Sequence, residues 1–182
     1  MQSFLIFLRD NARWLAAGAL LSFLSSFGQT YFISIFAGEI RAEFGLSHGA
    51  WGAVYAGGTA ASAALMIWAG GLADRFRAAT LGAAVLIGLA LATAFMAVNQ
   101  LAVLVPAVIF CLRFAGQGMA VHVATVAMAR WFVATRGRAL AIATIGYQLG
   151  EAFMPMTFVW LKARVDWQLL WLGASAFSLA MI

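Results

Sequence analysis

The sequence predicts an all-α integral membrane protein. Its residues are 65% hydrophobic and only 9% charged, and its uncharged stretches are long enough to cross a bilayer as helices. Soluble domains carry roughly 45–50% apolar and 25% charged residues, so this chain has too little polar surface to cover itself in water. A helix of roughly 20 residues satisfies its own backbone hydrogen bonds across about 30 Å of hydrocarbon. The short alternating segments of a β-barrel are not evident. The net charge of +5 sits at the ends of the apolar runs, where it reads as a topology signal rather than a nucleic-acid surface.

Six spans follow from the positions of the charges, at approximately 14–38, 49–70, 78–98, 101–129, 139–161 and 167–182. The first follows Arg9 and Arg13 and is longer than a signal-peptide core, so it is read as a retained span. The apolar run from 78 to 112 is too long for one helix, and Asn99-Gln100 divides it with a polar turn. The fourth span then continues through Arg113. The sixth is short at Ile182, so it is expected to be truncated and the chain to be a fragment. Cys111 is the single cysteine; it reads as a small apolar side chain and forms no internal disulfide.

Orientation follows from the basic residues of the short connections, which stay cytoplasmic. An inside N-terminus assigns Arg9, Arg13, Arg75, Arg77, Arg130, Arg136 and Arg138 to the cytoplasm, against Arg41, Lys162 and Arg164 outside. Tryptophans at the run ends, including Trp14, Trp68, Trp131 and Trp160, fit interfacial belts. The expected location is a plasma membrane of the bacterial inner-membrane type, with surrounding lipid as a partner.

Gly70-Gly71-Leu72-Ala73-Asp74-Arg75-Phe76-Arg77 joins the second and third spans. This turn resembles the signature of the major facilitator superfamily between its second and third helices, approximately G-x-L-A-D-R-x-G-R-R, through Gly70, Leu72, Ala73, Asp74 and Arg75. The later glycine is replaced by Arg77 and the basic pair by Ala78 and Ala79. The resemblance implies the N-terminal half of a twelve-helix secondary transporter, with six helices arranged as two inverted three-helix repeats and a C-terminal six-helix half as partner. Gly28-Gln29 and Gly116-Gln117 occupy corresponding places in the first and fourth spans, a match too short to establish a repeat by itself. The resemblance also makes Asp74, with Arg75, a gating element, and Arg130 a plausible partner for Asp74 at the cytoplasmic end of the fourth span. A solvated aspartate in an ordinary positive-inside turn is the alternative.

Arg113 lies near the middle of the fourth span, where a charge costs about 2.5–3.5 kcal/mol and requires a partner or a water-filled cavity. Glu151 lies near the middle of the antiparallel fifth span, so the two are expected to meet at one depth, either as a structural pair or as substrate and coupling groups. Tyr147 and Gln148 share a helical face with Glu151. The resemblance extends to Arg113, since the family carries an arginine in its fourth helix associated with substrate or proton coupling. The glycine usual four residues later is Gln117 here, flanked by Gly116 and Gly118.

Gly146 and Gly150 resemble the glycine-rich fifth helix of antiporter branches, with Glu151 where those carry proline and Pro155 placed to kink the helix. Arg130-Trp131-Phe132 and Arg136-Gly137-Arg138 resemble the fourth-to-fifth connection of organic-anion and monocarboxylate branches. Gln29 is a candidate hydrogen-bond donor to a solute, and equally to a neighbouring helix. His122, nine residues past Arg113, reads as a proton relay or as a buried imidazole bonded to another helix.

The function implied is alternating-access transport of a small solute, first an organic anion, with the proton as candidate coupling ion. A drug or metabolite efflux carrier is the alternative within transport. An intramembrane enzyme, a channel and a structural subunit are the alternatives outside it. The enzyme reading finds no H-E-x-x-H and no G-x-S-x-G, and no catalytic residue, metal ligand or cofactor is assigned.

Overall fold

The computed structural model describes residues 2–182, which are helical and contain no strand. A short helix α1 (Gln2–Asp10) precedes α2 (Ala12–Leu24), which tightens into a 3₁₀ turn at Ser25–Gly28, breaks at Gln29 and resumes as α3 (Thr30–Ile35). A second break at Phe36 leads into α4 (Ala37–Glu43), inclined by 71° to the preceding helix. Glycine at position 45, with φ of +62°, supplies the left-handed residue of the turn that follows, and Ser47 caps α5 (His48–Ala69) by accepting from the Ala50 N–H.

A single turn, α6 (Leu72–Arg75), leads to α7 (Ala78–Val98). The Asn99 side chain then bonds both the N–H and the carbonyl of Leu101, which holds the sharp reversal without a long loop. The returning helix starts with a 3₁₀ turn at Ala102–Leu104 and continues as α8 (Val105–Leu112). It then widens into a π-helical segment at Arg113–Ala120 and ends as α9 (Val121–Trp131). Helices α10 (Arg136–Lys162) and α11 (Trp167–Ala180) complete the chain.

Among the described residues, His48–Arg75, Ala78–Val98 and Ala102–Trp131 are each long and apolar enough to cross a membrane, and the bent pair Ala12–Ile35 with Ala37–Glu43 makes a fourth candidate. Helix α10 has 27 residues and spans about 40 Å, but Tyr147, Gln148 and Glu151 dilute its apolar surface. Helix α11 has only 14 residues, so neither joins that set.

Packing is set by α2 lying between α9 and α10, by α5 lying on α8 and the π segment, and by α11 lying on α7. Against α11, Ser175 donates to the Ala90 carbonyl of α7 at 2.8 Å. An aromatic core forms at the end nearest α4. Phe32 meets Phe158 at 4.8 Å and Trp171 at 5.2 Å, and Phe36 meets Trp171 at 5.2 Å. Such contacts contribute about 0.5–1.5 kcal/mol each beyond area burial, and they matter more in lipid, where apolar burial alone does not drive helices together. At the opposite end α1 packs Phe7 against Phe132 at 5.7 Å.

Two helices expected to be continuous are therefore not. The first span contains a 3₁₀ turn and two breaks, and the fourth contains eight π-helical residues. The 3₁₀ turn and the π segment meet where the two spans cross. A Cβ on Gly28 would collide with the Leu112 carbonyl oxygen, and one on Gly116 would lie 2.5 Å from the Gly28 Cα. At that backbone-to-backbone approach each chain departs from α geometry.

Candidate functional site

Arg113 opens the π segment and is 4% exposed. Its Nη1 donates to the Gly28 carbonyl at 3.2 Å. That carbonyl is available because Gln29 is extended (φ −84°, ψ 154°), which interrupts the helical hydrogen-bond ladder beside it. The guanidinium carbon lies 5.5 Å from the centre of the Tyr55 ring, a cation–π distance. The Nε of Arg113 is buried without a hydrogen-bond partner.

All three tyrosines of the chain gather here. Tyr55 donates to the Thr30 hydroxyl at 3.0 Å, and Tyr31 donates to the Ser26 hydroxyl at 2.7 Å. Tyr31 meets Tyr147 edge to face at 6.0 Å. The first helix is pressed onto α10 by two glycines. A Cβ on Gly146 would strike the Ala19 carbonyl, and one on Gly150 would strike the Ser26 hydroxyl.

Of the two readings of Arg113 and Glu151, the ion pair is absent. The ion pairs among the described residues are Arg9–Asp10 and Lys162–Glu39. A shared depth does not fix rotation about a helix axis, and the guanidinium turns toward Gly28 and Tyr55 instead. Glu151 is exposed, as are Gln117 and Gln148, and Gln148 shares one helical face with Glu151. Gln29 is buried, with its Nε2 3.4 Å from the Ser25 hydroxyl of its own helical turn, and it is not presented to that face. Pro155, inside α10, brings no N–H to the Glu151 carbonyl, so the ladder is open beside the acidic residue. A cavity of about 220 Å³ has Tyr147, Ser22, Thr125 and Thr144 among its walls.

The other expected residues form a second cluster at the α5–α7 turn. His122 Nε2 lies 2.9 Å from the Gly70 carbonyl. A carbonyl only accepts, so this nitrogen carries the proton. A Cβ on Gly70 would meet that imidazole at 3.6 Å. Arg130 Nη1 donates to the Ala73 carbonyl at 2.8 Å. The expected Arg130–Asp74 bond is thus replaced by a bond to the neighbouring main chain, while Asp74 and Arg75 are exposed. Helix α9 clamps the turn through two carbonyls at a helix C-terminus, where basic groups are favoured. Gly118, on the other side of Gln117 from Gly116, faces Met66.

At the far end Lys162 bridges the Ile35 carbonyl at 2.6 Å and Glu39 Oε1 at 2.8 Å. The break at Phe36 leaves that carbonyl at a helix end, and Lys162 closes it. Burial by itself pushes the Glu39 carboxyl up. Hydrogen bonds from Lys162 and from its own backbone N–H, with the lysine charge, outweigh this and hold it below its ordinary value. Neither this bridge nor the π segment at Arg113 was expected from the sequence.

The family model described as Major Facilitator Superfamily matches residues 18–182. No curated protein and no solved structure shows a significant match.

Proposed function

The chain belongs to the major facilitator superfamily, a family of membrane transporters rather than enzymes, and on that premise we propose that it forms one six-span half of an alternating-access carrier for a small organic anion. The observation that carries the substrate reading is Arg113, a buried cation whose Nε has no hydrogen-bond partner. Arginine presents paired donors that match a carboxylate, and burial strengthens that attraction.

The uncovered face supports a partner half. Gln117, Gln148 and Glu151 would meet hydrocarbon if nothing covered them, at a cost of a few kcal/mol for the charge alone. A second six-helix half, related to this one and placed against that face, would enclose them around a central cavity. The inverted three-helix repeat finds support in Gly28 and Gly116, the two glycines of the short repeated dipeptide, which touch each other. With the N-terminus inside, the turn carrying Asp74 lies on the cytoplasmic surface. There Asp74 is free to engage the opposing half while His122 and Arg130 hold its backbone.

Proton coupling is a second reading, favoured by Glu151 standing on the substrate face without a counter-ion. Solute uptake into proteoliposomes holding the full-length carrier tests both readings. Arg113→Ala should abolish uptake and Arg113→Lys should retain part of it. Glu151→Gln should stop proton-driven accumulation but spare exchange if the proton is coupled. Equal affinity across the arginine series would overturn the anion reading.

A further inference from the structure

We infer that an anionic phospholipid binds at the end of the bundle that carries the α5–α7 turn, with its phosphate between Arg77 and Arg130 and the start of an acyl chain against Ala79 and Val126.

The site is a cavity of about 460 Å³ bounded by the start of α2, the turn, the start of α7 and the end of α9. Arg77 and Arg130 supply one part of its wall, and Ala79, Val126 and the rings of Trp14 and Trp131 supply another. Neither arginine is neutralised within the protein, since the ion pairs among the described residues lie at Arg9 and Lys162. Arg130 gives one nitrogen to the Ala73 carbonyl at 2.8 Å, a bond that fixes the side chain without answering its charge. Arg77 is exposed. Arg13 places a third cation nearby, 5.9 Å from the centre of the Trp14 ring.

The composition of the wall selects the ligand. Two arginines on one cavity call for an anion, and their forked donors suit phosphate oxygens. A fully hydrated anion would leave the apolar wall in water, whereas a phosphodiester attached to an acyl chain covers both. The depth agrees with this choice. Trp14 and Trp131 meet edge to face at 4.9 Å and both are partly exposed, and tryptophan in a membrane protein marks the level of the lipid headgroups. Basic pockets between helices at that level bind anionic headgroups, each arginine strengthening the attraction by about fivefold.

The test titrates the full-length protein in detergent micelles with dioleoyl phosphatidylglycerol or dioleoyl phosphatidylcholine, whose choline cancels the phosphate charge, and reads bound lipid by native mass spectrometry. Phosphatidylglycerol should bind about tenfold more tightly or better. Arg77→Gln should weaken it by about fivefold and leave phosphatidylcholine unchanged. Arg138→Gln removes the same charge from an exposed position outside the cavity and should alter neither lipid. Glycerol phosphate, which has the phosphate without the chains, should not displace the lipid. Equal binding of the two lipids would overturn the inference. So would an equal loss in Arg77→Gln and Arg138→Gln, which marks diffuse surface attraction, or full displacement by glycerol phosphate, which marks a site for soluble phosphates.

Discussion

Gly28 and Gly116 meet backbone to backbone, and the partner of Arg113 follows from that contact. A Cβ on Gly116 would lie 2.5 Å from the Gly28 Cα and 2.9 Å from the Ser25 carbonyl oxygen, so neither neighbour can yield by turning a side chain. The contact brings the Gly28 carbonyl within 3.2 Å of the guanidinium.

Gly116→Ala should therefore lower stability by about 2 kcal/mol or more, as overpacking against fixed atoms does, and should displace Arg113. Gly88→Ala, at a position where a Cβ meets nothing within 4 Å, should be neutral or slightly stabilising. Thermal unfolding of both variants in detergent checks this. Equal melting temperatures would contradict it.

The cytoplasmic turn should depend on Arg130 and His122 more than on Asp74. Arg130→Ala removes a charged donor from the Ala73 carbonyl, a bond worth about 1.5–3 kcal/mol. Amide exchange over residues 70–76 should quicken by about tenfold or more. Asp74→Asn should leave that exchange unchanged while altering transport, because no bond in the turn uses its side chain. Faster exchange in Asp74→Asn and none in Arg130→Ala would reverse the assignment.

The Glu39–Lys162 bridge should have a defined pH dependence. The folded-state pKa of Glu39 is depressed, so its contribution is fully present above the ordinary glutamate value of about 4.3. It is lost as pH falls through the lower, folded value. The melting-temperature difference between the unaltered protein and Glu39→Gln should be constant near neutral pH and shrink on acidification. A difference that widens in acid would give the opposite sign. The bridge is partly exposed, so high salt should weaken it as well.

The extent of the apolar helices was legible in the sequence because hydropathy is a property of composition, and lipid selects for it directly. The breaks were not. Ser25–Gly28 and Arg113–Ala120 contain Gly28 and Gly116, and the chain departs from α geometry where these two meet, a contact that hydropathy does not mark. Arg113 was recognisable as a buried charge, yet its partner is a main-chain carbonyl, which every residue carries and no side-chain pattern marks. The same holds for Arg130 at Ala73, His122 at Gly70 and Lys162 at Ile35. Neither the carboxylate partner weighed for Arg113 nor the one suggested for Arg130 is bonded, because broken helices offer carbonyls closer at hand. Helix α1 escaped notice because its 9 residues fall far short of a span.

The central claim, that the unfilled Nε edge of Arg113 receives the solute's carboxylate, is open to one direct measurement. In nitrogen-15 spectra of the labelled protein in nanodiscs, the Arg113 Nε–H resonance is identified by its loss in Arg113→Lys. On saturation with a carboxylate-bearing solute it should move downfield as a charge-assisted hydrogen bond forms, and choline should leave it in place. A resonance that stays fixed while the carboxylate binds elsewhere on the protein would contradict the account.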